Sequence, residues 1–417
     1  MTQAKYLPLT EVTTLVTDGK HGDCKNEGNS GFYFLSSKDL RDGKLHYDKP
    51  RQINYKEFAE THRRTNLESG DILLANTGAS IGRVGIAQID KRIPNTTFQK
   101  SISVIKADRN IIDNRYLYYF FRDNSDLLSR LGGGAAQPNL LLGDIRKIQV
   151  RVPERPIQLK ISKVLIEYDN LIENNNRRIA ILEEMAQSLY REWFVNFRYP
   201  GHADSTNNSE NSNKPTLIDS PLGPIPEGWV VKALSDVAAL NPESITKKNA
   251  PESIGYIDIK SVGTGNIDEV KPMEFSDAPS RARRKVVDGD IIWATVRPNR
   301  KQYSYICKPK ANTIASTGFA VLRALDIPAS YLYSFTTTDA FTAYLVNRAT
   351  GSAYPAVNAD IFKKANVLVP PSDILAKFDA LCSVSMLQSE VLKKKNENLK
   401  KQRDMLLPKL ISGQIEL

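Results

Sequence analysis

The sequence predicts an α+β chain in which two related α/β lobes, placed about a pseudo-two-fold, are separated by a long antiparallel two-helix coiled coil. Three observations predict it. An internal repeat of about 215 residues covers the whole chain. Each copy ends in a heptad seam, and the two seams share one register. Within each copy, short β-like runs are punctuated by turn residues.

The repeat is read from matched elements. "LTEV" at Leu9 answers "LSDV" at Leu234, and "SGDILLA" answers "DGDIIWA", with Gly70 matching Gly289. "RYLYYF" answers "SYLYSF" (Tyr116 to Tyr331), and "GAAQP…VRVP" answers "GSAYP…VLVP" (Pro138 to Pro355 and Pro153 to Pro370). Small drifts in the offset are what loop insertions and deletions produce.

The first seam runs through Ile161, Leu165, Tyr168, Ile172, Asn175, Ile179, Leu182, Ala186, Leu189 and Trp193, spaced by four and three. It predicts a helix from about Ile157 to Phe197, roughly 60 Å long at 1.5 Å per residue. The same register 213 residues on gives Ile374, Phe378, Leu381, Ser385, Gln388, Leu392, Lys395, Leu399, Gln402 and Leu406. Pro408 is expected to stop that helix. Asn175 and Gln388 match, and a polar residue in a seam fixes register. The shared register favours mutual antiparallel pairing.

Strands are expected at "GFYFLS", "DILLA", "SISVIKA", "IQVRV", "DIIWATV" and "FAVLRA", and short helices at "NRYLYYFFRD" and "SYLYSFTTT". The resulting domains are 1–153 and 229–370 for the lobes, 154–198 and 371–417 for the spacer helices and C-terminal tail, and 199–228 for a linker. The linker contains "HADSTNNSENSNKPT" from His202, rich in Asn and Ser, and "DSPLGPIPEGW" after it reads as extended because of its prolines.

Composition narrows the function. With 57 Lys+Arg against 47 Asp+Glu, the net charge is +10, which suits a polyanionic partner. Cys24, Cys307 and Cys382 lie far apart and form no metal-binding spacing. No apolar signal core or membrane-length apolar run is visible, so the protein reads as cytoplasmic.

Catalytic motifs fail on inspection. Gly78 to Arg83 reads "GASIGR", one residue short of a phosphate loop, with Val84 where Ser or Thr belongs. The second copy has no glycine there. Asn241-Pro242-Glu243-Ser244 lacks the aromatic residue of an adenine methylation motif. His21, His46, His62 and His202 show no paired spacing. An acid set for a metal-dependent nuclease can be drawn from Asp258, Glu269 and Lys271, without counterpart in the first copy.

Two similar lobes, two matched helices and no catalytic motif resemble the specificity subunit of type I restriction–modification systems. The resemblance spans the chain. It rests on "TDGKHGD" from Thr17, "SGDILLANTGASIGRVGI", "GGGAAQPNLLLGDIRKIQVRVP", "LIENNNRRIAILEEMAQSLYREWFVNF", "DSPLGPIPEGWVVKALSDV" and "LLPKLISGQIEL". It implies that each lobe is a target recognition domain for one half of a bipartite DNA site, with the helices as spacer and docking surface. Implied partners are two modification subunits, carrying adenine methyltransferase chemistry with S-adenosylmethionine, and two restriction subunits using ATP and Mg²⁺. The chain itself would be non-catalytic and bind no cofactor. A specificity subunit of a type II system with a fused nuclease–methylase partner stays open, as does the self-sufficient nuclease.

DNA contacts are expected on loops, where the lobes differ. In the first lobe these are Lys20, His21, Arg63, Arg64, Asn76, Arg83, Gln99 and Lys100. In the second they are Lys260, Arg283, Arg284, Arg297, Asn299, Arg300, Lys301 and Tyr303. The family pattern adds Gln137 and Asn139 in the first copy; the second has Tyr354 for the glutamine, with Asn358 displaced by two positions. Arginine suits guanine edges, and Asn or Gln suits adenine edges. "RARRK" at Arg281 to Lys285 reads as a phosphate-facing or solvated run.

Overall fold

The computed structural model describes residues 4–133, 138–201 and 216–417. The chain divides into two units, Met1–Glu173 with Asn396–Leu417, and Asn174–Lys395. Each unit holds one copy of the repeat together with a stretch of each long helix.

In the first unit, strand Lys5–Pro8 pairs antiparallel with Gln149–Val152, tying the start of the copy to its end. A four-stranded sheet runs in the order Thr13–Asp18, Ile102–Ala107, Ile72–Ala75, Val84–Ile86, antiparallel throughout. Its inner strand, Ile-Leu-Leu-Ala at 72–75, is buried along its length, as a continuous apolar run with both faces covered must be. A parallel pair, Tyr33–Leu35 with Thr96–Phe98, stands outside this sheet.

The second unit repeats the plan. Val230–Ala233 pairs with Asn366–Val369. Its sheet runs Ala238–Leu240, Phe319–Ala324, Ile291–Ala294, Tyr303–Tyr305. Its parallel pair is Ser253–Ile257 with Thr313–Ser316, extended on its edges by Lys271–Glu274 and Ala282–Lys285. The two copies differ at this parallel pair. The first copy carries helix Tyr55–Thr65 against it, started by Asn54, whose side chain accepts from the Glu57 N–H (2.9 Å). The second copy puts strands there instead.

Two buried devices recur. Tyr116 and Tyr331 each donate a hydroxyl to a backbone carbonyl of the last strand, at Arg151 and Leu368. Asp71 and Asp290, both buried, each close their own turn and meet a cation from the neighbouring strand. Asp71 accepts from the Glu68 N–H (2.8 Å) and from Lys106 (2.7 Å). Asp290 accepts from the Val287 N–H (2.8 Å) and twice from Arg323 (2.8 and 3.0 Å). The Gly-Asp of both copies is therefore a structural element, not a ligand site.

The long helices are Arg155–Tyr190, ending in a π-turn at Arg191–Val195, and Ser372–Ser412. In each unit they pair antiparallel. Asp169 meets Arg403 while Ile172 meets Asn396. In the second unit Glu183 meets Lys393 while Tyr190 meets Phe378. The first helix buries Ile161, Leu165, Ile172, Ile179 and Trp193, with Tyr168, Asn175, Leu182 and Leu189 half-buried.

The second helix differs from its expected register. Ile374, Phe378 and Leu392 are buried and Leu399 and Leu406 half-buried, but Leu381 is 54% exposed and Gln388 is exposed. Cys382, Ser389, Asn396, Arg403 and Leu407 take the inner positions. Partners satisfy part of this polar stripe, while the Ser389 hydroxyl is buried without one. Asp169 receives Arg403 (2.5 Å) and the Tyr119 hydroxyl (2.7 Å). A pattern of apolar residues alone points one position away from it.

Pro408 also does not stop its helix, which continues to Ser412. Proline inside a helix costs about 3 kcal/mol. Burial of Leu407, Leu410 and Ile411 in the first unit's core offsets it, at about 1.5–3 kcal/mol each. The chain after residue 215 is likewise not simply extended: Leu217–Ile218 pairs with Ile225–Pro226. Trp229 then packs on Phe194, Phe197 and Tyr199. His202 and the Asn/Ser-rich linker lie outside the described residues.

Candidate nucleic-acid interface

The strand after each Gly-Asp turn leads into one loop arrangement, built twice. Strand Ile72–Ala75 passes through Asn76 and Thr77 into a 3₁₀ turn at Gly78–Ser80. Strand Ile291–Ala294 passes through Thr295 to Arg297 into a 3₁₀ turn at Pro298–Arg300. Each turn is laced to the lobe-ending segment by the same backbone bonds. In the first copy the Gly78 N–H donates to Pro138 O (3.0 Å) and the Leu140 N–H to Asn76 O (2.8 Å). In the second the Arg297 N–H donates to Pro355 O (2.6 Å) and the Val357 N–H to Thr295 O (2.9 Å). Two loops distant in sequence thus form one rigid edge in each lobe.

What these edges display differs. In the first lobe Arg83 and Asn139 are exposed, and Arg83 makes no ion pair among the described residues. Gln137 lies outside the described residues. Gly82 has a packing role in this loop. A Cβ there would come within 2.6 Å of Ser125 O, so that glycine lets the loop pack on helix Ser125–Leu131. In the second lobe Asn299 and Arg300 are exposed. Arg297 stacks over the ring of Tyr354 (4.3 Å to the centroid), and Lys301 pairs with Asp339 (2.6 Å). Asn358 is exposed, but its side chain caps helix Ala359–Lys363 by accepting from the Ile361 N–H (3.1 Å). That bond assigns it to the scaffold.

A second cluster forms beside the first lobe's parallel pair. Lys20 bridges Gln99, and the Lys100 N–H donates to Lys20 O (3.0 Å), so these three residues share one edge. Gly19 makes this possible, because a Cβ on it would lie 2.1 Å from Phe98 O. The Lys20 ammonium pairs with Glu57, whose carboxylate raises its pKa above the usual lysine value. His21 and Arg64 both reach Asp18, at 2.9 and 2.6 Å. Arg63 and Lys100 are exposed without an ion pair among the described residues.

Four expected contacts are wholly or partly buried. Asn76 is 3% exposed and donates to Ser103 (2.9 Å). Tyr303 is 8% exposed, packs on Trp293 at 5.2 Å, and burial pushes its phenol up to about 12. Arg283 and Arg284 lie on a strand, half-buried, not on a solvated run. Arg283 stacks on Phe275 (5.1 Å), and burial lowers the Arg284 pKa while its Nη1 reaches Ser244 (3.2 Å). Both arginines lie at the register irregularity between Ala282 and Arg284, which a charge count cannot foresee. Lys260, by contrast, is exposed.

Sequence reasoning missed Tyr354, exposed beside Arg297. Its one signal was the departure from glutamine at a matched position.

In the acid set drawn for a nuclease, the Asp258 carboxylate is already engaged within the lobe. Asp258 accepts from Arg281 (2.5 Å) and from the Lys260 N–H, while Glu269 and Lys271 are exposed. No group of three metal-ligating side chains converges among the described residues. No helix among them is long and apolar enough to cross a membrane.

A scaffold built twice, with the same laced edge bearing different side chains, defines a two-lobed recognition protein. Comparison with known proteins agrees. Residues 9–184 match the family described as the type I restriction modification DNA specificity domain. The chain is 25% identical over 400 residues to the type I restriction enzyme MjaIX specificity subunit of Methanocaldococcus jannaschii, covering 92% of this chain and 87% of that one. It is 22% identical to the MjaVIII specificity subunit of the same organism, covering 94% and 88%. The crystal structure of the type I restriction–modification S subunit from M. genitalium shares its fold, with a TM-score of 0.56 at 14% identity over 98% of this chain and 96% of that one. Over most of its length the chain is similar to type I restriction–modification specificity subunits.

Proposed function

We infer that this chain gives a type I restriction–modification complex its DNA sequence specificity, each lobe reading one half of a bipartite site. The observation that carries this reading is the pair of laced edges, equal in backbone and unequal in side chains. Exposed Arg83, Asn139, Asn299 and Arg300 are suited to base edges and phosphates. The relatives named above are type I enzymes, which favours this reading over a fused type II partner.

The helices serve as spacer and docking surface. Helices of 36 and 41 residues are about 54 and 62 Å long. On the second, Leu381, Val384, Leu387 and Val391 are all about half exposed. An apolar stripe left in water marks a surface for a partner. Two modification subunits using S-adenosylmethionine would dock there, with two restriction subunits using ATP and Mg²⁺ completing the complex. The chain would bind no cofactor itself.

Mapping methylated adenines in the host genome with and without this gene tests the reading. A bipartite motif that disappears with the gene is expected; an unchanged methylation map would overturn it. Removing one heptad from each helix should shorten the spacer between the half-sites. A spacer that stayed fixed while both halves were still read would sink the ruler role.

A further inference from the structure

We propose that Tyr354 is a specificity-positioning residue of the second lobe, holding Arg297 so that its guanidinium reads a guanine in that lobe's half-site. The proposal rests on the reading of the chain as a DNA-specificity subunit.

The 350–356 loop is closed by a reciprocal pair of backbone bonds between Thr350 and Ala356, both 2.9 Å. It is bound in turn to the Arg297 loop through Pro355 and Val357. Tyr354 therefore stands on a rigid tip, yet it is 68% exposed. An aromatic ring that fills no core and is rigidly held needs another reason to be there.

Arg297 supplies one. Its backbone is left-handed, φ 54°, a conformation a bulky side chain adopts only where its surroundings impose it. The imposing contact is the bond from its N–H to Pro355 O (2.6 Å). The guanidinium lies 4.3 Å from the Tyr354 ring centroid, and one Nη2 hydrogen bonds Ala353 O (3.2 Å). These contacts use one face and one corner of the group. The remaining N–H donors form a planar fork held against the ring. No carboxylate pairs with Arg297 among the described residues, in contrast to Lys301 beside it.

A fixed planar fork without a counter-ion matches the O6 and N7 acceptors of guanine in the major groove. The first lobe has Gly78 where the second has Arg297, and Gln137 where it has Tyr354, so this reader belongs to one half-site alone.

The test uses the full chain assembled with its modification subunits. Adenine methylation motifs are mapped for the wild type, Tyr354→Ala, Tyr354→Phe and Arg297→Lys. Purified complexes then compete for duplexes substituted at one base pair at a time. Wild type and Tyr354→Phe should demand G·C at one position of one half-site. Tyr354→Ala and Arg297→Lys should accept other pairs there, with discrimination falling about tenfold and the other half-site unchanged. Two results overturn the proposal. One is Tyr354→Ala keeping wild-type discrimination at every position. The other is Tyr354→Ala weakening all duplexes alike with a lower salt slope, which assigns Arg297 to phosphate. If wild type itself shows no bipartite motif, the specificity reading fails, a distinct result.

Discussion

Asp290→Ala should destabilise the second unit by about 2–4 kcal/mol. Asp290 is fully buried and accepts three hydrogen bonds, one from the Val287 N–H and two from Arg323. Removing one partner of a buried ion pair costs about 3–5 kcal/mol. Arg323 keeps a quarter of its side chain in water and retains Glu243 at 2.7 Å, which lowers that cost by about 1 kcal/mol. Asp290→Asn keeps an acceptor for Val287 and loses only the charge, for about half the cost. The assay is urea unfolding followed by tryptophan fluorescence. Trp193, Trp229 and Trp293 are the chain's three tryptophans, and all belong to this unit. With a slope of about 2–3 kcal/mol per molar urea, the midpoint should fall by roughly 1 M for the alanine variant. Glu269→Ala, exposed in the same lobe, is the control and should stay within about 0.5 kcal/mol of wild type. A midpoint for Asp290→Ala indistinguishable from that control would refute the claim that the shared Gly-Asp turn is held by its buried carboxylate.

Glu243 gives a pH dependence: Lys285 and Arg323 hold its carboxyl down to about 2, from an ordinary value of 4.5. A depressed acid contributes stability that is full above 4.5 and lost as pH falls toward 2. Glu243→Gln should flatten that part of the acid unfolding curve, and an unaltered slope would count against the contact. The register of the second long helix is checked by a pair of substitutions. Leu381→Ser should change stability by no more than about 0.5 kcal/mol, whereas Leu392→Ala should cost about 2–4 kcal/mol. The opposite order, read by denaturant midpoint, restores the apolar register. Arg300→Ala should weaken binding to all DNA sequences alike and lower the slope of log affinity against log salt by about 0.9. A loss confined to one base identity would instead make Arg300 a base reader.

Legibility followed what each residue touches. The repeat was visible because Gly70-Asp71-Ile72 and Gly289-Asp290-Ile291 do the same local work in both copies. Arg83, Asn299 and Arg300 were found as exposed loop residues because loops past a buried strand run on the surface. Asn76 and Tyr303 were misplaced for one reason: each flanks the same loop but faces inward, toward Ser103 and Trp293. The inner stripe of the second helix escaped notice because Ser389, Asn396 and Arg403 are polar. The burial of Arg403 depends on Asp169, more than two hundred residues away in sequence.

By itself, then, the sequence determined the duplicated α+β scaffold, the two long helices and the loops on which the copies diverge. These depend on periodicity, turn chemistry and repetition, which are local or self-referential. Only the tertiary structure decided which polar side chains are spent inside and which remain for a ligand. That depends on neighbours brought together by folding. Glu57 takes Lys20, Asp339 takes Lys301, and a helix terminus takes Asn358. Arg297 is left beside Tyr354 without a counter-ion, because no acid of the fold pairs with it among the described residues.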